Sequence, residues 1–261
     1  MHSQTPATRR LVNLTRTIKS NTVAAGAVTK VGLIGYGLIG ETVRNLIDGD
    51  PENGMQVVFI HDADSKRLEG LGSLALEDLA DFDSRGADLV VEMAHPGVTV
   101  TWATRILAKT NYMFISVTAL ADQAIEEAIL ATAMKHGTRA YVPHGGVVGM
   151  DALLENRDVF TEVNIVMKKP PGNIDCINVG IDPDTITEAT VLYDGPTRGI
   201  CPKFPRNVNT HASIAYAGIG FDRTHSLMVA DPSLTGEKPA LERRRRPAIA
   251  AQNGTVTFAY A

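Results

Sequence analysis

Two features in the first quarter of the chain could do chemistry together: the turn Gly35-Tyr36-Gly37-Leu38-Ile39-Gly40 and the acid Asp62. The turn has GxGxxG spacing, the pattern of a dinucleotide-binding loop. Its first glycine permits a tight turn. Its second lets backbone approach a pyrophosphate, and its third lets a helix pack on a strand. A helix opening there presents free N–H groups and the positive end of its dipole to phosphate. Asp62 lies 22 residues past Gly40, where a carboxylate bonds the adenine-ribose 2′-hydroxyl. A carboxylate repels a 2′-phosphate, so NAD is expected, with NADP the alternative. Asp64 is a second candidate for that contact.

A glycine triplet alone also fits a plain strand–turn–helix with no ligand, so the flanking elements decide. Val31–Ile34 is a short apolar run of the buried-strand kind. Residues 38–48 follow helical spacing, with Ile39, Val43, Leu46 and Ile47 on one face. Val57–Ile60, Leu89–Val91, Tyr112–Val117 and Arg139–Val142 read as further strands. Between them, His95-Pro96-Gly97 opens one helix and Asp122 caps another that ends at Gly137. Strands alternating with helices imply βαβ units and a parallel sheet.

After Gly146 the pattern changes. Val163–Met167, Ala189–Leu192 and Leu227–Ala230 look like strands, and Gly254–Ala261 alternates as a terminal one. The expected fold class is α/β: an N-terminal Rossmann-type parallel sheet with a second, smaller, mostly antiparallel α+β domain. Residues 1–28 read as an N-terminal extension, 29–145 as the dinucleotide-binding domain and 146–261 as a substrate and dimerisation domain.

Composition narrows the class. Hydrophobic residues make up 44% and the net charge is −4, so the chain has material for a core and no electrostatic case for nucleic acid. No apolar run reaches the roughly 20 residues of a membrane span. Cys176 and Cys201 form neither a CxxC pair nor a zinc spacing, so no metal is expected. Scattered thiols suit a reducing compartment, and a cytoplasmic location is expected. The first forty residues lack Asp and Glu but carry Arg9, Arg10, Arg16, Lys19 and Lys30. That composition fits a frayed tail or, alternatively, a mitochondrial transit peptide.

Four further segments occur in order: Pro143-His144-Gly145-Gly146-Val147-Val148-Gly149-Met150-Asp151, Lys168-Lys169-Pro170-Pro171, Phe204-Pro205-Arg206-Asn207-Val208-Asn209 running on to Gly218–Thr224, and Val229-Ala230-Asp231-Pro232. Together they resemble the L-aspartate dehydrogenase family over roughly Lys30 to Gly236. The resemblance implies NAD(P)-dependent oxidation of L-aspartate to iminoaspartate, which hydrolyses to oxaloacetate and ammonia and can feed NAD biosynthesis. It also implies a homodimer whose two domains close over the nicotinamide. Gly146, where the family usually has Ala, and Asn209 would flank that ring. Asn207 and Asn209 also suit a helix cap. A dihydrodipicolinate-reductase or homoserine-dehydrogenase relative is the competing family, but paired histidines with a downstream lysine of the reductase kind are lacking.

The chain departs from the family where an Asn-x-His supplies the catalytic acid/base. Aligned without gaps from Asp231-Pro232, Pro239 stands at the histidine. Proline transfers no proton, so a cofactor-binding but catalytically impaired homologue is the alternative reading. Amine oxidation needs a proton acceptor, and His211 and His144 are the candidates. His225 is also available. His95 opens a helix on the ligand edge of the sheet and is assigned to the cofactor cleft. Lys169, Arg198, Arg206 and Arg223 are candidate cations for substrate carboxylates, Lys169 and Arg198 foremost. Arg243–Arg246, between prolines in an acidic chain, read as a solvated linker.

Overall fold

The computed structural model describes residues 28–235, 248–252 and 255–260. Pro239, Arg243–Arg246 and residues 1–27 lie outside the described residues. Strand β1 (Thr29–Ile34) buries its last four residues. Helix α1 (Leu38–Asp48) starts directly after the glycine turn and stops at Gly49. Strands β2 (Met55–His61) and β3 (Leu89–Glu92) flank β1 on either side. Helix α2 (Pro96–Leu107) has proline at its first position and His95 as its cap. Then come β4 (Asn111–Phe114), α3 (Gln123–His136) and the short β5 (Ala140–Tyr141). Asp122 caps α3 by accepting from the N–H groups of Ala124 and Ile125. Gly137 closes α3 in a left-handed conformation, φ 69°.

These five strands form one parallel sheet in the order β2-β1-β3-β4-β5. Between β2 and β3 the chain makes three short 3₁₀ turns rather than a full helix. They cover the sheet edge, where Leu76 N–H donates to the Ile60 carbonyl.

The rest of the chain builds a second layer. Helix α4 (Met150–Glu155) leads to β6 (Glu162–Lys169), β7 (Thr190–Pro196), the single turn α5 (Thr197–Ile200) and α6 (Asn209–Ala217). Strands β8 (Thr224–Ala230), β9 (Ala248–Gln252) and β10 (Thr255–Tyr260) follow. The sheet order is β7-β8-β6-β10-β9. It is mixed, not mostly antiparallel as the sequence suggested: β6 pairs in parallel with both β8 and β10. Parallel neighbours need long crossovers, and α5 and α6 supply the one between β6 and β8.

Helix α6 joins the two layers. It packs against the 3₁₀ turn Val117–Ala121 that follows β4. Val117 and Leu120 share one core with Phe204, Val208, Ala212 and Ala215. Three alanines in α6 keep its sides narrow enough for that close approach.

Candidate active site

The glycine turn is a cradle that side chains would fill. Gly35 has φ +95°, and a Cβ there would lie 2.8 Å from the Met93 carbonyl. A Cβ on Gly40 would come within 2.1 Å of the Gly35 carbonyl oxygen. Tyr36 and Asp62 tie the turn to β2: Asp62 Oδ2 accepts from Tyr36 N–H at 2.7 Å and Oδ1 accepts from Asp64 N–H at 2.9 Å. Leu38 and Ile39, in the first turn of α1, are 83% and 50% exposed, so that helix end is open to a ligand. Shape, free N–H groups and the carboxylate together fit a dinucleotide. Arg67 stands beside them, its Nη1 3.6 Å from Asp62 Oδ2.

At the carboxyl end of β3, Glu92 is fully buried. Its carboxylate accepts from Ala94 N–H at 2.7 Å, Ser116 Oγ–H at 2.9 Å and Ser116 N–H at 3.3 Å. Burial pushes its carboxyl above the usual range, and those donors oppose the shift. One side chain thereby fixes the loops after β3 and β4, which face the cleft. His95 exposes its ring on the first of those loops, where Nδ1 accepts from Gly97 N–H at 3.1 Å.

The cleft between the layers is pinned at Thr118. Its N–H donates to Asn209 Oδ1 at 3.3 Å, and its hydroxyl donates to the Pro205 carbonyl at 2.8 Å. A cavity of about 410 Å³ opens beside this contact, lined by His95, Gly97, Thr118, Asp122, Arg198 and Pro205. Arg198 spans the cleft as a strut. Its fork pairs with Asp222 at 2.6 and 2.8 Å, and Nη1 donates to the Ala121 carbonyl. This corrects its expected substrate role, because Asp222 already neutralises the guanidinium. Arg206 is likewise held on Asp175.

Lys169 ends β6 and donates to the Asn207 carbonyl at 3.0 Å, two residues from Asn209. Burial holds its ammonium below the usual lysine range, with Asp175 opposing. Gly146 sits in the exposed turn before α4, and a Cβ there would meet open space.

The two candidate proton acceptors have opposite surroundings. His211 is corrected: it is fully buried, Nδ1 lies 2.9 Å from Ser226 Oγ, and Nε2 has no partner among the described residues. Burial, reinforced by Lys169, lowers its pKa to about 3. A ring so enclosed cannot reach a substrate. His144 is exposed, its Nε2 lies 3.2 Å from Asp151 Oδ1, and among the described residues its Nδ1 has no hydrogen-bond partner.

The enclosure of His211 has a consequence for stability. An unfolded histidine takes up a proton below about pH 6.5, and the folded one stays neutral down to about 3. Stability present above pH 6.5 is therefore lost as pH falls toward 3. Between pH 7 and pH 5 the loss from this group is about 2 kcal/mol. Urea unfolding at both values should show a smaller difference for His211→Phe than for the wild type. Equal differences would place the acid sensitivity elsewhere.

Comparison with known proteins adds an independent finding. The family described as "Homoserine dehydrogenase, NAD binding domain" matches residues 35–143, and "Aspartate dehydrogenase, C-terminal" matches residues 151–243. An L-aspartate dehydrogenase of Methanosarcina acetivorans is 33% identical over 219 residues, covering 78% of this chain and 79% of its own. The chain belongs to the L-aspartate dehydrogenase family. An aspartate dehydrogenase domain-containing protein of Xenopus tropicalis is also 33% identical, over 78% of this chain and 75% of its own length. The crystal structure of aspartate dehydrogenase from Thermotoga maritima superposes with a TM-score of 0.62 at 27% identity, covering 78% of this chain and 80% of that one. Like its relatives, this member of the aspartate dehydrogenase family is an oxidoreductase with a nicotinamide-binding domain. Among the described residues no helix is long and apolar enough to cross a membrane, and no group of acids, histidines and cysteines could hold a metal.

Sequence reasoning missed several residues of this site. Glu92 had a signal, an acid closing a buried apolar strand. Arg67 follows Asp62 by five residues, next to Lys66. Thr118 and Asp151 had none, since their partners come from the packing of separate segments.

Proposed function

We propose that this protein oxidises L-aspartate at Cα to iminoaspartate, which hydrolyses to oxaloacetate and ammonia. The observation that carries this reading is the direct bond between the Rossmann layer and the family-specific segment, Thr118 to Asn209. It sets the glycine cradle and the second domain on one cleft. A bound nicotinamide dinucleotide supplies the hydride acceptor. Gly35, Tyr36, Gly37, Leu38, Ile39 and Gly40 cradle its pyrophosphate, and Asp62 takes the ribose, which favours NAD. His95, Gly146 and Asn209 line the nicotinamide side. The domain from Gly146 onward carries the substrate groups. Lys169, a partly buried cation beside the Asn207–Asn209 segment, receives a substrate carboxylate.

Before Cα can give up hydride, the substrate ammonium must lose a proton. We assign that proton to His144 Nδ1, with Asp151 orienting the ring through Nε2. In the ungapped alignment Pro239 stands at the family histidine, and this pair answers the chemical need in its place. The same replacement favours a second reading, a dinucleotide-binding homologue with little turnover.

Working as a cytoplasmic homodimer, the enzyme would feed NAD biosynthesis. Support for the dimer comes from the second sheet, whose outward row Asn164, Val166, Leu227 and Ala259 is only partly covered within one chain. The test is NADH formation from L-aspartate and NAD⁺ at alkaline pH, with NAD⁺ binding measured alongside. Turnover with L-aspartate, absent with L-alanine, is the expected result. Tight NAD⁺ binding without turnover would select the second reading.

A further inference from the structure

We propose that Arg206 is a positioning residue for L-aspartate binding: by gripping Asp175 it keeps that acid off Lys169 and leaves the lysine charge for the substrate carboxylate. The inference rests on the assignment of Lys169 as carboxylate receptor above, and adds what holds that cation open.

Lys169, Asp175, Arg206 and Asn207 form one cluster built from three segments of the second domain, with Asn207 at its centre. The Asn207 carbonyl accepts from Lys169 Nζ at 3.0 Å. Its Oδ1 accepts from Asp175 N–H at 3.0 Å, and its Nδ2 donates to the Asn173 carbonyl at 3.2 Å. One residue thus holds the lysine head on its backbone and the acid-bearing loop on its side chain. A partly buried cation set so near a carboxylate gains most by pairing with it. Here the two stay apart. Among the described residues Lys169 forms no ion pair, although its ammonium feels the Asp175 charge. The neighbouring His211 is kept neutral by burial, so it does not answer the lysine charge either.

Arg206 explains the separation. Its Nη2 lies 3.0 and 3.2 Å from the two Asp175 oxygens, and its Nε lies 3.3 Å from Oδ2. Both oxygens are engaged by a planar fork, a geometry that a lysine cannot match. Arg206 directly precedes Asn207, so one short step of chain puts the guanidinium on the acid and the carbonyl against the lysine. Stability does not account for the pair. The Arg206 side chain is 64% exposed, and exposed ion pairs contribute little to folding. What the pair does change is the lysine, which keeps its donors beyond the Asn207 carbonyl and its full charge for an incoming carboxylate.

The experiment is calorimetric titration of L-aspartate into the NADH-loaded full chain, which can accept no hydride, so binding is read without turnover. The variants are Arg206→Gln, Asp175→Asn, the two combined, and Lys169→Met. Arg206→Gln frees Asp175 to swing onto Lys169. It should raise the Kd for L-aspartate about tenfold, the scale of one charge-assisted hydrogen bond. Its melting temperature and its Kd for NADH should stay those of the wild type. Asp175→Asn should bind L-aspartate at least as tightly as the wild type. The combined variant should return to within about threefold of the wild type, a rescue that lost packing would not give. An unchanged Kd in Arg206→Gln, beside a weakened Lys169→Met, overturns the proposal and leaves Lys169 as the receptor. A combined variant as weak as Arg206→Gln alone also overturns it, as does an equal loss of NADH affinity. Wild-type affinity in Lys169→Met, or no L-aspartate binding by the wild type, overturns the receptor assignment and the proposal together.

Discussion

Replacing His144 with alanine is expected to lower kcat for L-aspartate oxidation by about 10²–10⁴-fold, the usual contribution of general acid–base catalysis. The chemistry is strict: an ammonium nitrogen has no lone pair to stabilise the carbon that loses hydride. Among the histidines proposed for this step, only His144 offers an exposed ring nitrogen in the turn that leaves the carboxyl edge of the parallel sheet. The turn is shaped for it. Gly145 and Gly149 take positive φ values of 57° and 78°, which fold the segment so that residues 144 and 151 meet. Asp151→Asn should cost less, about tenfold, because it only orients the ring. NAD⁺ affinity reports the cradle separately and should respond far less than kcat. A His144→Ala enzyme within threefold of wild-type kcat would remove His144 from the mechanism.

Gly40→Ala is the second large effect. A methyl at this position would sit 2.1 Å from the Gly35 carbonyl oxygen, an impossible contact with backbone rather than with a mobile side chain. Helix α1 must then shift off the turn, and with it the N–H groups aimed at the pyrophosphate. Affinity for NAD⁺ should fall at least about 100-fold, with a lower melting temperature as well. Gly37→Ala separates the two consequences. Its Cβ would meet only the movable Arg67 fork at 2.9 Å. It should keep the melting temperature of the wild type while still obstructing the pyrophosphate. Near-normal NAD⁺ affinity in Gly40→Ala would refute the cradle.

The parallel half of this fold is legible in sequence because its signals are local. The glycine turn, the Asp122 cap and the Gly137 stop each act within a few residues, and α1 spans the residues its periodicity predicts. Where a distant partner decides, the reading slips. Tyr112–Val117 reads as one strand, yet β4 ends at Phe114. The chain must bend there so that Ser116 can reach Glu92 and Val117–Ala121 can wind against α6. His211 failed for a related reason. Residues 211–215 of α6 are all buried, so no amphipathic stripe tells which side of the helix meets the cleft. The pairing of His144 with Asp151 depends on the shape of a turn, and the grip of Asp222 on Arg198 depends on two segments 24 residues apart. Spacing alone does not report either. The mixed second sheet was missed because nothing in a strand's own residues names its neighbours.

That second sheet also sets a timetable for biosynthesis. Strand β6 lies between β8 and β10, and Glu162 pairs with Thr255, 93 residues later in the chain. At roughly 5–20 residues per second, the ribosome needs about 5 to 20 s to deliver that partner. Throughout the interval β6 offers an open ladder of N–H and C=O groups, flanked by Val163 and Ile165, which the finished fold buries completely. The nascent parallel half can form and hold its ligand loops while the neighbouring sheet is still an aggregation hazard. The yield of this protein should therefore depend on how β6 is shielded until β10 is translated more than on anything in the glycine turn.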